Sequence, residues 1–151
     1  MKIRNDTIFY SYFDENLENN KYHWYYGMID KAGNEVVNKK YVMPTPYEPF
    51  TYLYGLQLVN DNEVILWGNG YDPKVPYKKE EIKIVWMRLK LDGSLVSGPN
   101  YYKPSQLPNW AIATDAITDI DGNFVYISEY EAIQMPVYIY LFKINSLDQV
   151  A

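Results

Sequence analysis

Three stretches of the chain begin alike. "NDTIFYSYF" from Asn5, "NDNEVILWGN" from Asn60 and "IDGNFVYISEY" from Ile120 each set a polar two-residue turn directly before an apolar strand. Aligned on Ile8, Val64 and Phe124, they recur at intervals of 56 and 60 residues. A second element keeps the same phase: "YYGMIDKAGNEVV" from Tyr25, "VWMRLKLDGSLV" from Val85 and "YIYLFKINSLDQV" from Tyr138. Gly33 and Gly93 lie 60 residues apart, and Lys90 aligns with Lys143 at 53. Val85, Met87, Leu89 and Leu91 alternate with Trp86, Arg88 and Lys90, the period of two that marks a strand. Tyr138, Tyr140, Phe142 and Ile144 fall on matching positions in the third copy. Repetition at this period constrains the fold strongly, because one such unit cannot bury its apolar face alone and must stack on its neighbours.

Each unit reads as a hairpin, a longer polar loop and a second hairpin turning at a "DG" or "AG" pair, about four strands in all. Strands are expected over 7–13, 22–30, 34–42, 52–59, 62–68, 82–91, 94–97, 112–118, 123–130 and 137–145. No segment carries the 3.6-residue periodicity of a helix. Composition agrees: 17 tyrosines, five phenylalanines and four tryptophans in 151 residues favour a pleated, half-buried surface. The expected fold is all-β, one repeat domain over 1–151 with antiparallel units at about 1–50, 51–110 and 111–151.

The pairs "AITDIDGNFVYIS" with "YIYLFKINS" and "LVNDNEVILWGN" with "IVWMRLKLDGSLV" resemble divergent bacterial β-propellers. Blades of that kind read as a D-G-N-apolar strand followed by an apolar-x-K-apolar-x-D-G strand. The resemblance covers most of the chain and implies a propeller-like repeat protein. Locally, "YYGMIDKAGNEVVNKKYV" at 25–42 looks like the WG-type β-repeat, with Gly27, Ile29, Asp30, Gly33, Val36 and Tyr41 matching. Propellers close with about 4–8 blades. Two and a half blades do not close a ring, so the chain is expected to be a piece of a longer protein, to self-associate through edge strands near 5–13 or 137–145, or to fold instead as a sandwich or open barrel.

Charge and motifs narrow the function classes. A net charge of −5 without a basic stripe argues against nucleic acid as a partner. No apolar run reaches the roughly 18 residues of a membrane helix, and the N-terminus lacks the apolar stretch of a signal peptide. Localisation stays undecided on sequence, with a secreted or cell-surface setting favoured. With no cysteine and one histidine, His23, neither a thiolate nor a multi-histidine metal site exists. A Ser-His-Asp triad would have to use His23, and no Gly-x-Ser-x-Gly elbow accompanies it. "TDIDGNFVYIS" at 118–128 looks like a calcium loop until its positions are counted. From Asp119, the sixth residue is Phe124 and the twelfth Tyr130, where such a loop needs Gly and a bidentate acid. It reads as a tight turn, and no metal or cofactor is expected. "WGNGYDP" at 67–73 lacks the Lys and helix of a phosphate loop.

Two candidate surfaces remain. Tyr71, Tyr101, Tyr102 and Trp110 lie in Pro- and Asn-containing segments, where flat rings could stack on a sugar or anchor a protein, or pack over the sheet ends. Acids such as Asp72, Glu80, Glu81, Asp115, Asp119, Glu129 and Glu131 could supply the carboxylate pair of a glycosidase. The expected function is a non-catalytic binding or assembly module recognising protein or carbohydrate. The alternative is part of a carbohydrate-active enzyme.

Overall fold

The computed structural model describes residues 1–16, 21–43, 52–71, 82–102, 112–119, 124–130 and 138–150. These form eleven strands: β1 (Lys2–Arg4), β2 (Thr7–Asn16), β3 (Lys21–Ile29), β4 (Glu35–Val42), β5 (Tyr52–Leu58), β6 (Glu63–Tyr71), β7 (Ile82–Lys90), β8 (Leu95–Tyr102), β9 (Ile112–Thr118), β10 (Phe124–Tyr130) and β11 (Tyr138–Ile144). The fold is all-β, with every strand pair antiparallel. The first sheet runs β1-β2-β3-β4, the second β5-β6-β7-β8 and the third β11-β10-β9, and they do not close into a barrel.

The three sheets share one register. Ile8 pairs with Ile29, Val64 with Leu89 and Phe124 with Ile144. On the flanking strand Ile3, Leu58 and Thr118 pair with those same three residues. Beyond the hairpin turn, Ile29 pairs with Glu35, Leu89 with Leu95 and Ile144 with Val150. The turns close identically. Asp30 N donates to Asn34 O at 2.9 Å, Lys90 N to Ser94 O at 2.9 Å and Asn145 N to Gln149 O at 3.1 Å. The fourth residue of each turn has positive φ: 86° at Gly33, 78° at Gly93 and 59° at Asp148. Glycine is the ordinary answer there because it has no Cβ to clash. One alignment shifts. Lys90 corresponds to Asn145, two residues beyond Lys143, and a two-residue slip leaves every side chain on its face, so alternation alone does not detect it.

The sheets stack as layers. Phe9, Trp24 and Tyr26 of the first sheet and Val64, Leu66, Val85, Met87 and Leu89 of the second form one buried core, with Met43 after β4 and Leu53 and Leu56 of β5. The reverse face of the second sheet is buried too, through Ile65, Trp67, Ile84, Trp86 and Arg88, and the third sheet packs there through β9. The second sheet is therefore the middle layer. The centres of β6 and β7, Val64–Trp67 and Ile84–Met87, are unbroken apolar runs because neither face meets water there.

Two strands differ from expectation. β1 is only three residues with two charges, too short to show a period. β8 continues to Tyr102, through "SGPNYY", because a register shift opposite Trp86–Arg88 absorbs Gly98 and Pro99 as a bulge. The supposed edge near 5–13 also changes: β2 lies between β1 and β3, with β1 covering Thr7–Phe9, whereas β11 is an edge of the third sheet.

Candidate functional site

Of the aromatic residues expected to form a site, Tyr101 and Tyr102 are neighbours on one strand and so face opposite ways. They sit on β8 rather than in a loop, opposite Val85 and Ile84. Tyr101 packs against the core between the first two sheets. Tyr71 ends β6, paired with Ile82. Trp110 lies outside the described residues, as do Asp72, Glu80, Glu81, Glu131 and the turn at 120–123. His23 is a buried β3 residue, in the row Asp14–His23–Val42.

A different aromatic surface emerges on the outward face of the first sheet. The register sets Tyr12, Tyr25 and Lys40 in one row, Tyr10, Gly27 and Asn38 in the next, and Ile8, Ile29 and Glu35 in a third. The rings of Tyr12 and Tyr25 stack with centroids 4.4 Å apart and planes 3° from parallel. Tyr10 follows at 6.3 Å and 12° from Tyr12. Its ring lies across Gly27, where a Cβ would sit 2.0 Å from Tyr10 Cζ, so the absence of a side chain makes room for the stack. Tyr12 is 46% exposed and Val42 57%. Lys40 and Asn38 are exposed beside the rings.

Polar groups hold the stack at one end. Tyr10 Oη donates to Glu35 Oε1, and Asn38 Nδ2 donates to Glu35 Oε2 at 3.2 Å. Burial pushes the Tyr10 phenol up to about 12, with the Glu35 hydrogen bond and charge adding to it. The same hydrogen bond holds the Glu35 carboxyl below its ordinary range, helped by Asn38. The result is a flat, neutral aromatic platform with one anion and one cation at its margin.

Most described carboxylates are engaged in structure. Asp30 accepts from the N–H groups of Ala32 and Asn34 within its turn, and Asp92 from Ser94. Asp119 pairs with Lys143 at 2.7 Å. Asp61 lies 3.5 Å from Arg4. Arg88, buried to 2% exposure, donates to Glu63 Oε2 at 3.1 Å, to Asp148 Oδ1 at 3.1 Å and to Asn145 O at 3.0 Å. Trp86 Nε1 and Ser97 Oγ donate to the same Asp148 carboxylate. This network clamps the third sheet to the second. Asp115 and Glu129 lie on β9 and β10. Among the described residues no three His, Cys, Asp or Glu side chains group so as to hold a metal ion, and no helix is long and apolar enough to cross a membrane.

The chain matches no protein-family model and no curated protein sequence. The tyrosine stripe was partly legible in the sequence, since Tyr10 and Tyr12 are two apart and Tyr25 and Gly27 are two apart. Periodicity assigns them to one face. It does not say which face stays open.

Proposed function

We propose that the chain is a non-catalytic binding and assembly module built from propeller-like sheets, whose recognition surface is the outward face of the first sheet. The observation behind this reading is the stacked row Tyr10–Tyr12–Tyr25, in which Tyr12 is exposed and its neighbours are half-buried, bordered by Lys40, Asn38 and Glu35. Flat rings bury large area at little conformational cost and suit either a sugar face or an apolar protein patch. Asp119, the one glycosidase candidate whose side chain is described, is held in an ion pair with Lys143, whereas a glycosidase needs two free acids about 5–10 Å apart.

A glycan array with a parallel hydrolysis assay tests the carbohydrate arm. Retention without turnover, lost in Tyr12→Ala at an unchanged melting temperature, is the expected outcome for a glycan ligand. Turnover that survives Tyr12→Ala and vanishes on substituting Asp115 or Glu129 would place the chain with the enzymes.

A further inference from the structure

The outward face of the first sheet has counterparts elsewhere in the chain, and they are buried. By the shared register Ile8, Tyr10 and Tyr12 correspond to Val64, Leu66 and Gly68, and Tyr25, Gly27 and Ile29 to Val85, Met87 and Leu89. In the second sheet every one of these is buried against the first. In the third sheet Ile144, the counterpart of Ile29 and Leu89, is 1% exposed. One face of the repeated unit is thus an intersheet contact wherever another sheet precedes it, and in the first sheet it stands open.

The turns tell the same story. Across the first contact Tyr26 Oη donates to Leu91 O at 2.9 Å and Tyr41 Oη to Gly93 O at 2.5 Å. Across the second, Trp86 Nε1, the counterpart of Tyr26, donates to Asp148 Oδ1 at 3.0 Å, and Arg88 to Asn145 O. Each sheet's reverse face therefore grips the hairpin turn of the next. Among the described residues nothing grips the first sheet's own turn. A Cβ on Gly33 would meet nothing within 4 Å, whereas one on Gly93 would meet Lys39 and Tyr41 of the first sheet.

At the other end the corresponding face is exposed at two of its described positions. Leu141 and Lys143 occupy the positions of Trp86 and Arg88, yet Leu141 is 67% exposed. Ile117, in the row of Val125 and Lys143, is also exposed. The molecule carries one half of the contact on its first sheet and the complementary half on its third.

We propose that a second copy of this chain docks head to tail, with the reverse face of its third sheet, at Leu141 and Ile117, over the Tyr10–Tyr12–Tyr25 face. The proposal rests on the binding reading above and names the partner of that surface. Head-to-tail contacts close into rings when the rotation permits. Two copies supply six sheets, inside the range of about 4–8 at which propellers close.

Sedimentation of the full chain over a concentration series tests this. The wild type is expected to form a dimer or a longer head-to-tail series. Tyr12→Glu and Leu141→Glu, both at exposed positions that leave the core untouched, should each weaken association by about tenfold or more. Mixing the two variants should restore a one-to-one complex, since each retains the half that the other has lost. A wild type that stays monomeric at its highest soluble concentration overturns the proposal. So does a Leu141→Glu chain that dimerises alone, which would mean a symmetric contact, or association indifferent to both substitutions, which would mean edge-strand pairing. Tyr12-dependent glycan retention by a strict monomer would sink the head-to-tail contact and leave the binding reading standing.

Discussion

Arg88 and Asp148 illustrate how one side chain can depend on a partner 60 residues away. In the contact between the first two sheets the corresponding positions are Met28 and Gly93, an apolar side chain against a glycine turn. In the second contact the same two positions hold a buried guanidinium and a carboxylate. Taking one partner from a buried ion pair leaves an uncompensated charge and costs about 3–5 kcal/mol, whereas replacing both with well-packed apolar groups is often neutral. Arg88→Met or Asp148→Gly alone should therefore destabilise by about 3 kcal/mol, measured by urea denaturation. The double variant, which copies the first contact, should recover about 1–3 kcal/mol of the summed loss. Strict additivity would mean that the two residues act independently.

At the scale of elements, the three hairpin turns use one backbone and different side chains. Asp30 caps the first turn by accepting from Ala32 N and Asn34 N, both at 2.9 Å. Asn145 makes the equivalent pair of bonds in the third, to Leu147 N and Gln149 N. Lys90 cannot, and Asp92 serves the second turn by accepting from Ser94 N. Hydrogen bonds from Asn34 hold the Asp30 carboxyl below its ordinary range, and those from Ser94 do the same for Asp92. A carboxyl lowered in the folded state contributes stability that is present above its unfolded value near 4 and is lost as pH falls through the lower folded value. Asp30→Asn with Asp92→Asn should flatten this acid limb in a melting-temperature profile, with a shift of a few degrees below pH 4 and little change at neutrality. The Asn145 amide that caps the third turn does not titrate. These elements were largely readable in advance, because turn chemistry and period-two alternation are local. β1 and the far half of β8 were not, since one is too short to alternate and the other crosses Gly98–Pro99 by a bulge that only its pairing to β7 makes tolerable.

For the whole molecule, stability should be graded by layer. β6 and β7 are buried on both faces, with Val64, Ile65, Leu66 and Val85 fully buried. Local opening there requires separating both neighbouring sheets, so their amides should approach global protection. Hydrogen exchange should be slowest across Val64–Leu66 and Val85–Leu89, and faster in β11, an edge strand with Leu141 in solvent. Equal protection in β11 would contradict the layered arrangement. The sequence by itself determined the all-β class and the recurrence of hairpin turns at Asp30–Asn34, Lys90–Ser94 and Asn145–Gln149, because these follow from steric and hydrophobic rules acting over a few residues. The exact phase of the third copy did not follow from them. Only the tertiary structure decided which of two equivalent faces is buried. Tyr10, Tyr12 and Tyr25 resemble core residues as a pattern, and in the second sheet their counterparts are core. Here Tyr12 is exposed and Tyr10 and Tyr25 are only half-buried, because burial depends on the neighbouring layer and the first sheet has a neighbour on one side alone among the described residues.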